Sequence, residues 1–144
     1  MLAEIEQSLV AYLQASPLAA RLRRIEALPD LDGESLVSKF GADAPAVYVA
    51  VGSGSMQDGM ASITVGIACV ARNSRSPQAA RQGDGMQIGV LQLVHEVIKL
   101  IHDTYIEEFG YLVSGWDPVD SDALTRKGLY AAVVQARTEG YYGT

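Results

Sequence analysis

The hydrophobic positions of this chain change period along its length, and each change marks an element. Leu2, Ile5, Leu9, Tyr12 and Leu13 recur at helical spacing, with Glu4, Glu6 and Gln7 on other faces, which predicts a helix from Leu2 to Ala15. Ser16-Pro17 breaks it, and Pro17 can open a further helical turn to about Arg21. Leu22 to Leu28 reads as a short strand, and Pro29-Asp-Leu-Asp-Gly33 as a turn. Glu34 to Phe40 fits one or two helical turns. Ala46 to Val51 is a Val-rich strand. From Ala61 to Arg72 the period is two: Ile63, Val65, Ile67 and Cys69 form one face, and Ser62, Thr64, Gly66 and Ala68 a smaller one. The segment Gly52 to Gly59 reads as a flexible connection, and strands so close in sequence are expected to pair antiparallel.

The helical period returns from Gly85 to about Asp103. Ile88, Leu91, Val94, Ile98 and Ile101 make one stripe; Val90, Leu93, Val97 and Leu100 make a second. Such a helix is buried on more than one side, against the sheet and against a neighbouring subunit. Tyr111 to Trp116, ended by Asp117-Pro118, and Leu129 to Thr138 complete the strands. The expectation is a single α+β domain over residues 1–144. Its sheet is mostly antiparallel, of about four to five strands, flanked by the N-terminal helix and the long central helix.

Composition sharpens this picture in one direction. The chain has 144 residues, 49% hydrophobic and only 19% charged, below the ~25% charged content usual for soluble domains. Surplus apolar surface suits burial between subunits. A formal net charge of −6 makes a poor general nucleic-acid binder, because phosphate binding needs Lys and Arg to displace counterions. The lone cysteine, Cys69, cannot form an internal disulfide and fits a reducing compartment. The start, Met1-Leu-Ala-Glu, has neither a basic nor an apolar leader. No apolar run approaches the ~20 residues of a membrane helix.

Candidate chemistry is sparse. Gly52-Ser-Gly-Ser-Met-Gln-Asp-Gly59 lacks the Gly-Lys-Ser/Thr end of a phosphate-binding loop and joins two strands. His95 and His102 share a helix face about two turns apart, roughly 10 Å, too far for a shared metal. Asp117, Asp120 and Asp122 lack the spacing and closing Glu of a calcium loop and read as a solvated turn. Cys69 reads as core, and no Ser stands in Gly-x-Ser-x-Gly. What stands out is charge segregation. Arg72, Arg75 and Arg81 fall in one loop with no acid before Asp84. Asp103 to Asp122 holds Asp103, Glu107, Glu108, Asp117, Asp120 and Asp122 without a Lys or Arg. Opposite charges on one chain suit head-to-tail contacts between copies.

Several features in order resemble the Mu-like phage protein family encoded near the tail sheath and tube genes. They are the Met1-Leu-Ala-Glu-Ile-Glu6 helix, the Leu28-Pro29 turn, the Ala44-Pro-Ala-Val-Tyr-Val49 strand, and a strand ending Val70-Ala-Arg-Asn73. An Ala79-Ala-Arg81 loop, a Gly-rich entry to a long helix and the final Leu129-Tyr-Ala-Ala-Val-Val134 strand complete the set. The resemblance implies a tail-completion protein similar to the tail terminators of long-tailed phages. Those are small structural proteins, not enzymes, that form a ring, commonly hexameric, on the end of the tail tube.

The expected partners are thus further copies of the chain, the tail tube and sheath proteins, and the head–tail connector. The genome would pass through an acidic lumen without specific binding. No cofactor, metal or membrane is expected, and the protein would be assembled in the host cytoplasm and carried in the virion. Arg72, Arg75 and Arg81 are the candidate interface residues. A connector adaptor ring is the nearest alternative. A small cytoplasmic enzyme or ligand-binding domain, with a deep polar pocket and no self-association, is the alternative of another class.

Overall fold

A computed structural model describes residues 2–29, 31, 43–72, 77–83 and 88–141. Helix α1 (Leu2–Gln14) leads through a 3-10 turn (Pro17–Arg21) to β1 (Arg24–Ala27). The hairpin strands β2 (Ala46–Gln57) and β3 (Met60–Arg72) follow, then α2 (Pro77–Gln82) and α3 (Val90–Ile101). The chain ends in β4 (Thr104–Ile106), β5 (Phe109–Pro118), α4 (Asp122–Arg126) and β6 (Leu129–Tyr141). The strands form one six-stranded sheet in the order β1-β2-β3-β6-β5-β4. β1 runs parallel to β2, and every other neighbouring pair is antiparallel.

The α+β class holds, with six strands in place of four to five. The additional strand is β4, three residues hidden in what reads as a helix exit. It pairs Thr104 with Tyr111 and Ile106 with Phe109 around a turn at Glu107 and Glu108, and Glu107 adopts a φ of 57°. Gly52 to Gly59 is also corrected. The glycines and serines do not loosen the chain, because β2 continues to Gln57 and the turn is confined to Asp58 and Gly59, both at positive φ. An Asp-Gly pair fits the mirror-image turn that closes a two-residue hairpin. The Glu34–Phe40 segment lies outside the described residues.

Strand alternation divides the sheet into two unlike faces. The inner face carries Val47, Val49, Val65, Ile67, Cys69, Val134 and Ala136, all at 0% exposure. It is covered by Ile5, Leu9 and Leu13 of α1 and Leu93, Val97 and Ile101 of α3, also at 0%. The two helices are tied together by Tyr12, whose hydroxyl donates to the Leu100 carbonyl at 2.7 Å. Both apolar stripes of α3 pack within this core: Leu91, Ile98 and Leu100 are half-buried against it, while Gln92, His95 and Lys99 face solvent.

The described residues cover the outer face at one end. There Tyr48, Ala68, Val70, Leu129 and Ala131 form a second, smaller core with Leu28 and Leu124. Leu31 lies over Gly66, where an added Cβ would stand 2.9 Å from its Cδ1. Leu124 comes from α4, a helical turn that follows the exposed acids Asp117, Asp120 and Asp122 and starts at the last of them. Ser121 caps that helix, its Oγ accepting from the Leu124 N–H at 3.4 Å, and Asp122 sits in the first turn, where a negative charge suits the helix dipole.

The start of α3 is pressed against the end of α2. A Cβ on Gly89 would lie 2.2 Å from the Gly83 nitrogen and 2.6 Å from the Arg81 carbonyl oxygen. The Gly89 N–H is held by Gln92 Oε1 at 2.9 Å. Backbone cannot yield as a flexible side chain does, so Gly89→Ala must part the two helices. The expected loss is about 1–3 kcal/mol of stability, measured by urea unfolding with a second readout of faster proteolysis within Pro77 to Gly83. An unchanged unfolding midpoint would contradict this packing.

Candidate functional site

The candidate site is a surface, built from the half of the outer sheet face that the second core leaves bare. Register places it residue by residue. Met60 of β3 pairs with Tyr141 of β6, Ser62 with Glu139, and Thr64 with Arg137, which in turn opposes Leu112 of β5. Each pair shares a face, because directly opposed residues of an antiparallel ladder point the same way. On the edge hairpin, Tyr105 opposes Gly110, and the Tyr105 ring sits where a Gly110 Cβ would approach it to 3.0 Å. The result is a cluster of exposed apolar side chains: Met60 at 40%, Leu112 at 57%, Tyr141 at 66% and Tyr105 at 79%.

Arg137 and Glu139 lie among them, and Arg137 donates to Ser62 Oγ at 2.6 Å. Together with Asp103 and Glu108 they line an open concavity of about 860 Å³. It differs from a small-molecule pocket, which encloses 70–90% of its ligand's surface. An apolar group rimmed by polar side chains on an open face is the pattern of a protein contact.

The edge of the sheet adds a second feature. β4 covers only Phe109 to Tyr111, so β5 continues from Leu112 to Pro118 with β6 on one side and, among the described residues, no strand on the other. The Val113 N–H donates to His102 Nδ1 at 3.0 Å, so the last residue of the central helix region caps one edge amide. A register shift falls between Val113 and Gly115, and beyond it Trp116 stands 46% exposed. His102 thus has a structural role, distant from the metal reading already set aside. Among the described residues no group of three His, Cys, Asp or Glu side chains could hold a metal ion. Cys69 is fully buried, and burial pushes its thiol pKa up, which leaves it a packing residue.

The arginines chosen from sequence fall at the opposite end of β3 from this cluster. Arg72 ends the strand and is exposed; Arg81 is exposed in the last turn of α2. Among the described residues neither makes an ion pair, and Arg75 lies outside them. A second basic group went unnoticed in the sequence. Arg21 and Arg23 are exposed beside β1, the opposite edge of the sheet from β5, and Arg24 bonds Glu26 and Asp43, the latter at 2.8 Å. The signal was the Arg21-Leu-Arg-Arg24 run, which reads as mere strand entry until the sheet order places it on an edge. No helix among the described residues is long and apolar enough to cross a membrane.

Fold and surface define a small α+β protein with an exposed apolar cluster on one end of its sheet. A family model described as Bacteriophage Mu, Gp37 matches residues 1–129, and the chain belongs to that family. Membership makes it a phage structural or morphogenesis protein. The match ends where β6 begins, so most of that strand lies beyond it. No curated protein matches the chain.

Beneath the bare face, Tyr111 and Thr138 oppose each other on the inner side. Their hydroxyls are buried without a hydrogen-bond partner among the described residues. Burial, with a smaller contribution from Glu107, pushes the Tyr111 pKa up to about 12; burial first and Asp43 next raise that of Tyr48. The folded protein therefore keeps these protons longer than the unfolded chain, whose tyrosines titrate near 10. Their contribution is full below about pH 10 and is lost as pH rises toward 12. Stability is expected to hold level and then fall across that window, less steeply in Tyr111→Phe. At neutral pH Tyr111→Phe should be neutral or stabilising by up to about 1 kcal/mol, since it removes an unpaired buried hydroxyl. A loss of 2 kcal/mol or more, on the order of a broken buried bond, would show that the hydroxyl has a partner.

Proposed function

We propose that this protein is a tail terminator or neck component of a Mu-like phage, forming a ring that caps the tail tube and joins it to the head connector. The observation that carries the reading is membership of the Mu Gp37 family over residues 1–129. The surface supports it. Small assembly proteins work by presenting complementary patches, and this chain has an apolar cluster at one end of its sheet and exposed arginines at the other. A closed ring needs two different patches per copy, one for each neighbour. Action is steric and interfacial: the ring stops the tube from growing and offers a flat end for the connector. A net charge of −6 suits a channel through which DNA must slide, since repelled phosphates gain no binding from counterion release.

Arg72, Arg75 and Arg81 are assigned to contacts with the next copy or the tube. Reversing all three to Glu should leave the circular dichroism and unfolding midpoint of the purified protein unchanged. It should also reduce the yield of joined virions about a hundred-fold, since several charged contacts at one interface are lost together. Normal yields would remove the loop from the assembly surface. Electron microscopy of particles made without this protein tests the function itself. Overlong or headless tails are expected. Tails of normal length with heads held on separate portal complexes would point to the adaptor ring one step nearer the capsid, and intact virions would overturn both.

A further inference from the structure

We infer that copies of this chain join edge to edge, the β5 edge of one docking on the β1 edge of the next, so that the sheet continues across the subunit boundary. The inference rests on the ring reading and names its interface.

Three observations carry it. First, among the described residues β1 has a strand neighbour on one side only, and β5 has none on its outer side beyond the three residues of β4. Side chains hold one group on each strand: Gln14 Nε2 donates to the Ile25 carbonyl at 2.9 Å, and Val113 N–H donates to His102. Second, the lengths match. β1 is four residues long. On β5, Val113 is occupied by His102, which leaves Ser114 to Pro118 as the stretch available to a new strand. That is one short strand, about 17 Å at strand rise. Third, the exposed charges differ in sign. Asp103, Glu107, Glu108, Asp117 and Asp120 are exposed along the β4–β5 side, while beside β1 Arg21 and Arg23 are exposed and the acids Glu26 and Asp43 are paired with Arg24.

Charge also decides between the two ways an edge can be shared. A two-fold contact would set β5 against β5, placing Asp117 and Asp120 near their own copies, and like charges facing each other are destabilising. Unlike edges attract, and a contact between unlike patches is the kind that generates rings. Trp116 stands on the free stretch as an exposed aromatic anchor of the sort that dominates contact energy. A pair of short strands buries little area and is weak alone. Closure compensates, since each copy in a ring makes the contact twice and the last one forms intramolecularly. The arginines of the β3–α2 region then remain available to the tube.

A charge exchange tests this on the full chain, by sedimentation of the purified protein alone and of the protein mixed with purified tail tubes. One variant carries Arg21→Glu and Arg23→Glu, another Asp117→Lys and Asp120→Lys, and a third all four. Each pair alone should raise the concentration for half-assembly about ten-fold, and the fourfold variant should return it to within about three-fold of the parent. Circular dichroism of each variant controls for folding. If the parent assembles and all three variants assemble as it does, the edges are not the interface and the ring reading stands. If both pairs impair assembly and the fourfold variant does not recover, the edges do not meet each other. If the parent neither self-associates nor binds tubes, the ring reading fails and this inference with it.

Discussion

The structure depends on one ladder, the pairing of β3 with β6 in unbroken register from Met60 with Tyr141 to Arg72 with Leu129. Thirteen consecutive pairs at the centre of the sheet fix which side chains share a face, because a slip of a single residue would turn every one of them over. On the inner side the ladder presents Ile63, Val65, Ile67, Cys69, Ala136, Val134 and Ala132, and α1 and α3 close over them. On the outer side it presents small and apolar residues at one end and Thr64, Ser62, Arg137, Glu139 and Tyr141 at the other. One register therefore makes both the core and the bare surface.

That surface follows from where the described elements pack. α1 and α3 are committed to the inner face, and among the described residues α4, Leu28, Leu31, Ala44 and Val119 pack on the outer one. They cover Tyr48 and Leu129, while Met60, Leu112 and Tyr141 stay exposed. Exposed apolar residues on a monomer cost solubility unless something covers them. The proposed function supplies that cover in neighbouring copies and in the tail.

Much of the frame was legible in the sequence. Alternation from Ala61 to Arg72 marks β3 and its two faces, and the i, i+4 stripe of Ile5, Leu9 and Leu13 marks α1 and its buried side. Segments too short to show a period were not legible. β4 spans three residues and α4 five, less than the window in which periodicity can be counted, and α4 announces itself only through Ser121 as a cap. Gly52 to Gln57 misled in the other direction, since composition favours a loop where tertiary pairing with β3 imposes a strand. The apolar cluster was illegible for another reason: Met60, Tyr105, Leu112 and Tyr141 are scattered over the sequence, and only strand order gathers them. The acidic segment and the arginines were visible as charges, but their placement on opposite edges required the sheet.

If the bare end of the sheet and its β5 edge are contact surfaces in the assembled particle, they lose solvent when the protein enters a virion. Hydrogen–deuterium exchange of the protein free in solution and within purified virions measures that loss. Strong added protection is expected in Thr104 to Pro118 and in the Met60 and Tyr141 ends of β3 and β6, with the α1–α3 core unchanged. Equal exchange in those segments in both states, with protection confined elsewhere, would contradict it.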